Sequence, residues 1–244
     1  MAALGWLSRR LAEVPPGDEW LGEDERAALA TMHVERRRAD WRLGRFAAKA
    51  AVGAWLGVPP SCVQILAASD GAPEAWLDGC RADISVTLSH RGGVALAAVM
   101  GSAARAGCDL ELVEPRSDAF IRDWLSPAEA ELVRGGVARD RDLLANLIWA
   151  AKEAAAKVRR EGLRLDPLHA TVTLGGPIEL SAARAWRPLR VEWRDRLGPT
   201  YGWWGSDSGF VMVVAGEPAP DRPRALERGI VADFESLLEA GSRR

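Results

Sequence analysis

Apolar residues recur with helical spacing along one long segment of the chain and with strand spacing along many short ones. Between about Leu143 and Arg160, Leu144, Leu147, Ile148, Ala151, Ala155 and Val158 share one face, which predicts an amphipathic helix. Trp149, Glu153 and Lys157 recur every four positions and stack along a different face. A second helical region, made of more than one helix, runs from Gly22-Glu-Asp-Glu-Arg26 to Trp55-Leu56. Phe46, Ala50, Val52 and Trp55-Leu56 are its buried stripe, and Gly57 with Pro59-Pro60 stops it. Ser126-Pro-Ala-Glu129 has the cap, first-turn proline and following glutamate of a helix start. Arg36, Arg37 and Arg38 read as a solvated face.

Period-two alternation predicts strands at Ile84–His90 and Gly107–Val113. Val94–Met100 is apolar almost throughout, the pattern of a strand buried on both faces. Ala170–Leu174, Ile178–Leu180, Arg190–Trp193 and Phe210–Val214 read as an antiparallel sheet with Gly and Pro turns between its strands. Residues 1–20 are a short strand or loop with a Pro-Pro linker, Ser69–Pro73 is a turn, and a short helix is expected over Ile230–Leu238. Both halves run from helix to strands, an order that permits two similar lobes.

Composition narrows the class. A chain of 244 residues, 48% apolar and 27% charged, is globular and large enough for two small domains. A net charge of −2 gives no bulk electrostatic case for nucleic acid or a membrane surface. Cys62, Cys80 and Cys108 are odd in number and form no CxxC, and no leader or membrane-length apolar run is present. A soluble cytoplasmic protein is the expectation. Cys108 reads as a small core residue, and the 11 tryptophans as packing groups rather than a base-stacking platform.

Three groups of residues bear chemistry. Asp109 and Glu111 project from the same strand face and repel unless a cation lies between them. Oxygen-only ligands point to a hard metal such as Mg²⁺. The plain alternative is an exposed strand face. Ser89-His90-Arg91-Gly92-Gly93 makes a tight glycine corner whose backbone N–H groups can approach an anion. Lys157 sits one turn beyond Glu153 across an alanine run that leaves room for a bulky ligand. Lysine is used only at Lys49, Lys152 and Lys157 among 32 Lys and Arg residues, so a compact ammonium is placed twice on the central helix. Arg26 and Arg45 are candidate phosphate contacts.

Four stretches together resemble the Sfp-type 4'-phosphopantetheinyl transferases. They are Arg42-Leu-Gly-Arg-Phe-Ala-Ala-Lys49, Leu88-Ser-His-Arg-Gly92, Gly107-Cys-Asp-Leu-Glu111 and Trp149-Ala-Ala-Lys-Glu-Ala-Ala-Ala-Lys157, followed by Gly162-Leu163. The resemblance spans residues 20–215. It implies an α+β fold of two pseudo-symmetric lobes, residues 1–105 and 106–244, each a small antiparallel sheet packed with a long helix, and a monomer. Coenzyme A would lie in the cleft between the lobes. The implied reaction moves the 4'-phosphopantetheine arm of CoA to a serine of an acyl or peptidyl carrier protein, releasing adenosine 3',5'-bisphosphate. Such carriers serve fatty acid, polyketide or nonribosomal peptide synthesis. The resemblance makes Asp109, Glu111 and Glu153 the Mg²⁺ ligands. It makes Lys157, Lys152, Ser89, His90, Arg45 and Arg26 contacts of CoA. Glu153 is the candidate base, with Lys157 and Asp109 completing the catalytic group. The turn the family often writes Gly-Lys-Pro is Gly71-Ala72-Pro73 here, and Ala150 follows Trp149 where Ser or Thr is usual. An inactive carrier-binding relative and a Mg²⁺-dependent nuclease are the rival readings.

Overall fold

The computed structural model describes residues 2–161, 165–175, 185–194 and 198–226. The strand expected at Ile178–Leu180, the helix expected at Ile230–Leu238 and the Gly162-Leu163 pair lie outside them. In chain order the elements are β1 (Leu4–Arg10), α1 (Glu23–Ala30), α2 (Glu35–Leu56), β2 (Val63–Ala67), β3 (Pro73–Leu77) and β4 (Cys80–Arg81). There follow β5 (Ser85–Arg91), β6 (Val94–Met100), β7 (Arg105–Leu112), α3 (Asp118–Trp124), α4 (Pro127–Gly135) and α5 (Ala138–Arg159). The last are β8 (Ala170–Leu174), β9 (Arg187–Trp193), β10 (Thr200–Asp207), β11 (Phe210–Glu217) and β12 (Arg224–Ala225). No helix among the described residues is long and apolar enough to cross a membrane.

The chain is an α+β fold built twice. The first sheet has the order β12-β1-β6-β5, with β2-β3-β4 as a small separate sheet. The second, β7-β11-β10-β9-β8, is antiparallel throughout. Each lobe opens on a strand (β1, β7), continues through a short and a long helix (α1–α2, α4–α5) and closes with antiparallel strands. Both helix pairs are stapled by the same buried device. Glu25, at the start of α1, accepts hydrogen bonds from Lys49 Nζ of α2 (2.7 Å), the Gly22 amide (2.8 Å) and the Ile65 amide of β2 (3.0 Å). Glu129 of α4 pairs with Lys152 of α5 (2.6 Å) and accepts from the Ser126 amide (2.7 Å) and the Val172 amide of β8 (2.8 Å). One carboxylate thus joins a helix start, the next helix and the following strand in each lobe.

The lobes stack as four layers: α2, first sheet, second sheet, α5. This explains the unbroken apolarity of β6. Ala95, Ala97 and Val99 pack under α2, while Leu96, Ala98 and Met100 meet Ala106, Cys108, Leu110 and Val214 of the second sheet. Strand alternation persists, but both faces are dry. Cys108 is fully buried, and that burial pushes its thiol up to about 12.

The seam between β5 and β7 is polar. Ser85, Thr87 and Ser89 project from one face of β5. Their hydroxyls accept from the Ala106 amide (2.9 Å) and the Cys108 amide (3.2 Å), and donate to Asp109 Oδ1 (2.8 Å). Across β7, α5 lies very close because residue 107 has no side chain. A Cβ there would stand 2.0 Å from the Ala154 carbonyl oxygen and 2.9 Å from the Val158 amide nitrogen. Gly107→Ala is therefore expected to destabilise the protein by about 3 kcal/mol or more, since a packed helix backbone cannot give way as a side chain can. A urea titration monitored by tryptophan fluorescence would read this as a lower midpoint.

Candidate active site in the interlobe cleft

Along α5 the row Trp149, Glu153, Lys157 faces the Asp109–Glu111 face of β7. From Trp149 to Lys157 the helix rises about 12 Å, while Asp109 and Glu111 stand about 7 Å apart along the strand, so the helix row is the longer of the two. Trp149 Nε1 donates to Glu111 Oε1 at 3.1 Å, and Lys157 Nζ donates to Asp109 Oδ1 and the Cys108 carbonyl, each at 2.8 Å. Glu153 lies between these contacts in the row. Its carboxyl is held above its ordinary range by burial, with Asp109 and Glu111 adding to the shift and Lys157 opposing it. Glu111 is raised as well, by burial and by Asp109, against the pull of Arg116 and Arg91. Burial would lower Lys157, but Asp109 above all keeps its ammonium above the usual lysine range.

Asp109 is the centre of this group. Oδ1 accepts from Ser89 and Lys157, while Oδ2 is buried and has no hydrogen-bond partner among the described residues. A buried carboxylate oxygen without a donor is costly unless a cation or donor completes it. Glu111 gives Oε2 to Arg116 Nη2 at 2.9 Å, and Arg116 Nε bonds Asn146 Oδ1 at 2.6 Å. Among the described residues, no three His, Cys, Asp or Glu side chains are gathered into a ready metal cage. The donor set is nonetheless all carboxylate, and the orphaned Oδ2 of Asp109 fits a hard cation.

Next to this acidic group opens a cleft of about 500 Å³ between the lobes. Arg45, Ser85–Leu88 and the Asp70–Ala75 turn line it from the first lobe, and Lys157, Val158 and Arg160 from α5 and its end. Arg45 stands 4.5 Å over the Trp41 ring, its Nε is buried without a hydrogen-bond partner among the described residues, and burial lowers its pKa against the influence of Glu25. His90 is exposed, with its pKa drawn down by surrounding protein against the pull of Asp40.

Of the residues singled out from sequence, Asp109, Glu111, Glu153, Lys157 and Ser89 meet, and Arg45 lines the adjoining cleft. Arg26 does not join them: it is exposed on α1 and forms no part of the cleft wall. Lys152 must be reassigned. Its amino group is 1% exposed, paired with Glu129 and donating to the Trp124 carbonyl (3.1 Å) and the Pro167 carbonyl (2.8 Å). Three acceptors use its three protons, so it has none for a ligand in the cleft. Sequence reasoning overlooked Arg116 and Arg160. A guanidinium five residues beyond Glu111 and another three beyond Lys157 are the only signals they leave.

A family description, 4'-phosphopantetheinyl transferase superfamily, matches residues 105–197, which include β7, α5 and the acidic group. The 4'-phosphopantetheinyl transferase HetI of Nostoc sp. (strain PCC 7120 / SAG 25.82 / UTEX 2576) is 28% identical over 174 residues, 70% of this chain and 73% of its own. Residues 105–197 thus resemble the 4'-phosphopantetheinyl transferase superfamily, and most of the chain resembles one such transferase. Thermotoga maritima holo-[acyl-carrier-protein] synthase (AcpS) overlaps 50% of this chain and 73% of its own at 23% identity and a TM-score of 0.33. Within the superfamily match fall Asp109, Glu111, Glu153 and Lys157, while Ser89 and Arg45 reach the site from the other lobe.

Proposed function

We propose that this protein transfers the 4'-phosphopantetheine arm of coenzyme A to a serine hydroxyl of an acyl or peptidyl carrier protein. The observation that carries the reading is the Asp109 centre: a buried, half-satisfied carboxylate beside Glu111 and Glu153, bonded to Lys157, which itself lines a cleft that Arg45 and Arg160 also line. The similarity to the superfamily and to a 4'-phosphopantetheinyl transferase supports the reaction class. The lobe of the first sheet and α2 would face the nucleotide of CoA, and the lobe of the second sheet and α5 carries the carboxylates; the expected boundary at residue 105 is crossed by β12, which returns to the first sheet.

Asp109, Glu111 and Glu153 would hold Mg²⁺, which neutralises charge on the pyrophosphate during displacement. Lys157, fixed by Asp109 and the Cys108 carbonyl, places a point charge against the same phosphates. Ser89, locked to Asp109, and His90 orient the donor from the first lobe, and Arg45 holds its phosphates. Glu153, directly or through a water, would accept the proton of the attacking serine. The serine oxygen bonds to the β-phosphorus as the bond to the bridging oxygen breaks, and adenosine 3',5'-bisphosphate leaves. The residues mainly position and neutralise.

Intact-mass spectrometry of an apo carrier protein incubated with this protein, CoA and Mg²⁺ provides the test. The expected result is a gain of one phosphopantetheine group that disappears with EDTA and returns with excess Mg²⁺. A gain insensitive to EDTA would remove the metal. CoA binding without transfer to carriers of all three pathways would leave a binding protein in place of an enzyme.

A further inference from the structure

Arg160 is the residue at which α5 ends. It caps the helix in the left-handed conformation, φ 58°, which glycine adopts freely and other residues disfavour. An arginine therefore stands here against the local backbone preference. The cap turns its side chain out of the helix and across the cleft. Its guanidinium meets Asp70 of the first lobe as a two-pronged fork, Nε to Oδ2 at 2.8 Å and Nη2 to Oδ1 at 2.9 Å. Glu74 lies 3.7 Å away and also pairs with Arg81.

This ion pair is a poor candidate for a structural clasp. The side chains are 38% and 31% exposed, and pairs that wet contribute little to stability. They are well suited to exchange instead, because a guanidinium fork accepts phosphate with the geometry it offers a carboxylate. Lys157 and Arg160 lie on the same cleft wall, three residues or about 4.5 Å of helix rise apart. Two cations so spaced suit a ligand that carries negative charge at more than one place. The opposing turn, Asp70-Gly71-Ala72-Pro73, contributes no cation of its own.

We propose that Arg160 binds the phosphorylated nucleotide end of the donor, with Asp70 as the internal anion that the donor's phosphate displaces. Arg160 is then a specificity-determining residue for a phosphorylated adenosine, set one turn beyond the lysine at the reacting phosphates. The inference rests on the transferase reading above and adds the group that reads the far end of the substrate.

Calorimetric titration of the full chain with adenosine 3',5'-bisphosphate, and with CoA, tests it without requiring turnover. Arg160→Ala is expected to weaken bisphosphate binding by about tenfold or more, the loss of a charge-assisted bidentate contact. Arg160→Lys should recover part of the loss, since charge returns without the fork. Asp70→Asn should leave binding unchanged or tighten it several-fold, because a competing anion has gone. The two halves of one salt bridge thus behave differently, Arg160→Ala weakening binding and Asp70→Asn not. Equal weakening by Arg160→Ala and Asp70→Asn would make the pair a clasp between lobes and overturn the proposal, as would undiminished binding by Arg160→Ala. A wild-type protein that binds neither bisphosphate nor CoA would defeat the transferase reading itself, and this inference with it.

Discussion

Asp109→Asn is expected to reduce phosphopantetheine transfer by about a thousandfold or more, the scale of the several kcal/mol that a correctly held cation contributes to phosphoryl-type displacement. The substitution keeps the shape of the side chain and its Ser89 contact. It removes the charge that anchors Lys157 and leaves an amide where a cation would need an anionic oxygen. Three effects then act together: a ligand atom is weakened, Lys157 loses the group that raises its pKa, and Glu153 loses a repelling neighbour. Only the first two bear on a charged transition state, and both act against it. Stability should change little in comparison, because the uncompensated charge left at Lys157 keeps the Cys108 carbonyl and is 31% exposed. Single-turnover transfer followed by intact mass, beside a thermal melt, separates the two. Transfer within tenfold of wild type would exclude Asp109 from the machinery.

Lys152→Ala is expected to do the opposite, lowering stability heavily. Breaking a buried ion pair by removing one partner costs about 3–5 kcal/mol, which for a domain of this size is a fall in Tm on the order of 10 °C. The cost arises at Glu129, which is 4% exposed and would be left with only the Ser126 and Val172 amides to satisfy it. Burial already draws the Lys152 pKa below its usual value, with Glu129 opposing, so this ammonium is held there by its partner and not by water. Lys49→Ala should match it in size, because Glu25 sits in the same arrangement in the first lobe. Calorimetric CoA titration of whatever Lys152→Ala remains folded should give a dissociation constant within about threefold of wild type, as expected of a residue that does not touch the cleft. A tenfold loss of CoA affinity with an unchanged Tm would return Lys152 to the binding site.

The elements that were legible in the sequence are those whose signals are local. The helix start at Ser126, the long helix through Ala155, the alternation of Gly107–Val113 and the doubly buried strand Val94–Met100 appear where periodicity placed them. Strands β2, β3 and β10 and helix α3 are not marked by periodicity. β10 is Thr-Tyr-Gly-Trp-Trp-Gly-Ser-Asp, where a Cβ at Gly202 would stand 2.5 Å from the Val214 carbonyl oxygen, so a glycine interrupts the alternation. Its strand character comes from neighbours on both sides. The polar positions of β5 carried a misleading message: Ser85, Thr87 and Ser89 look solvent-facing, yet they bond β7.

For the site, the sequence alone determined which carboxylates share a strand face and that Trp149, Glu153 and Lys157 share a helix row, whereas Lys152 was grouped with Lys157 as a CoA contact through the resemblance. Five residues turn a helix by about 140° beyond one full revolution, so Lys152 and Lys157 cannot point the same way. What no local pattern states is what waits on each side. Only the tertiary structure put Glu129 and two carbonyls beneath Lys152, and Asp109 and an open cleft before Lys157. It also brought Arg160 across to Asp70, ninety residues earlier in the chain. Periodicity follows from the bond geometry of a single segment. The partner of a charged group depends on which segments pack beside it, and that is settled by burying both lobes' apolar faces at once.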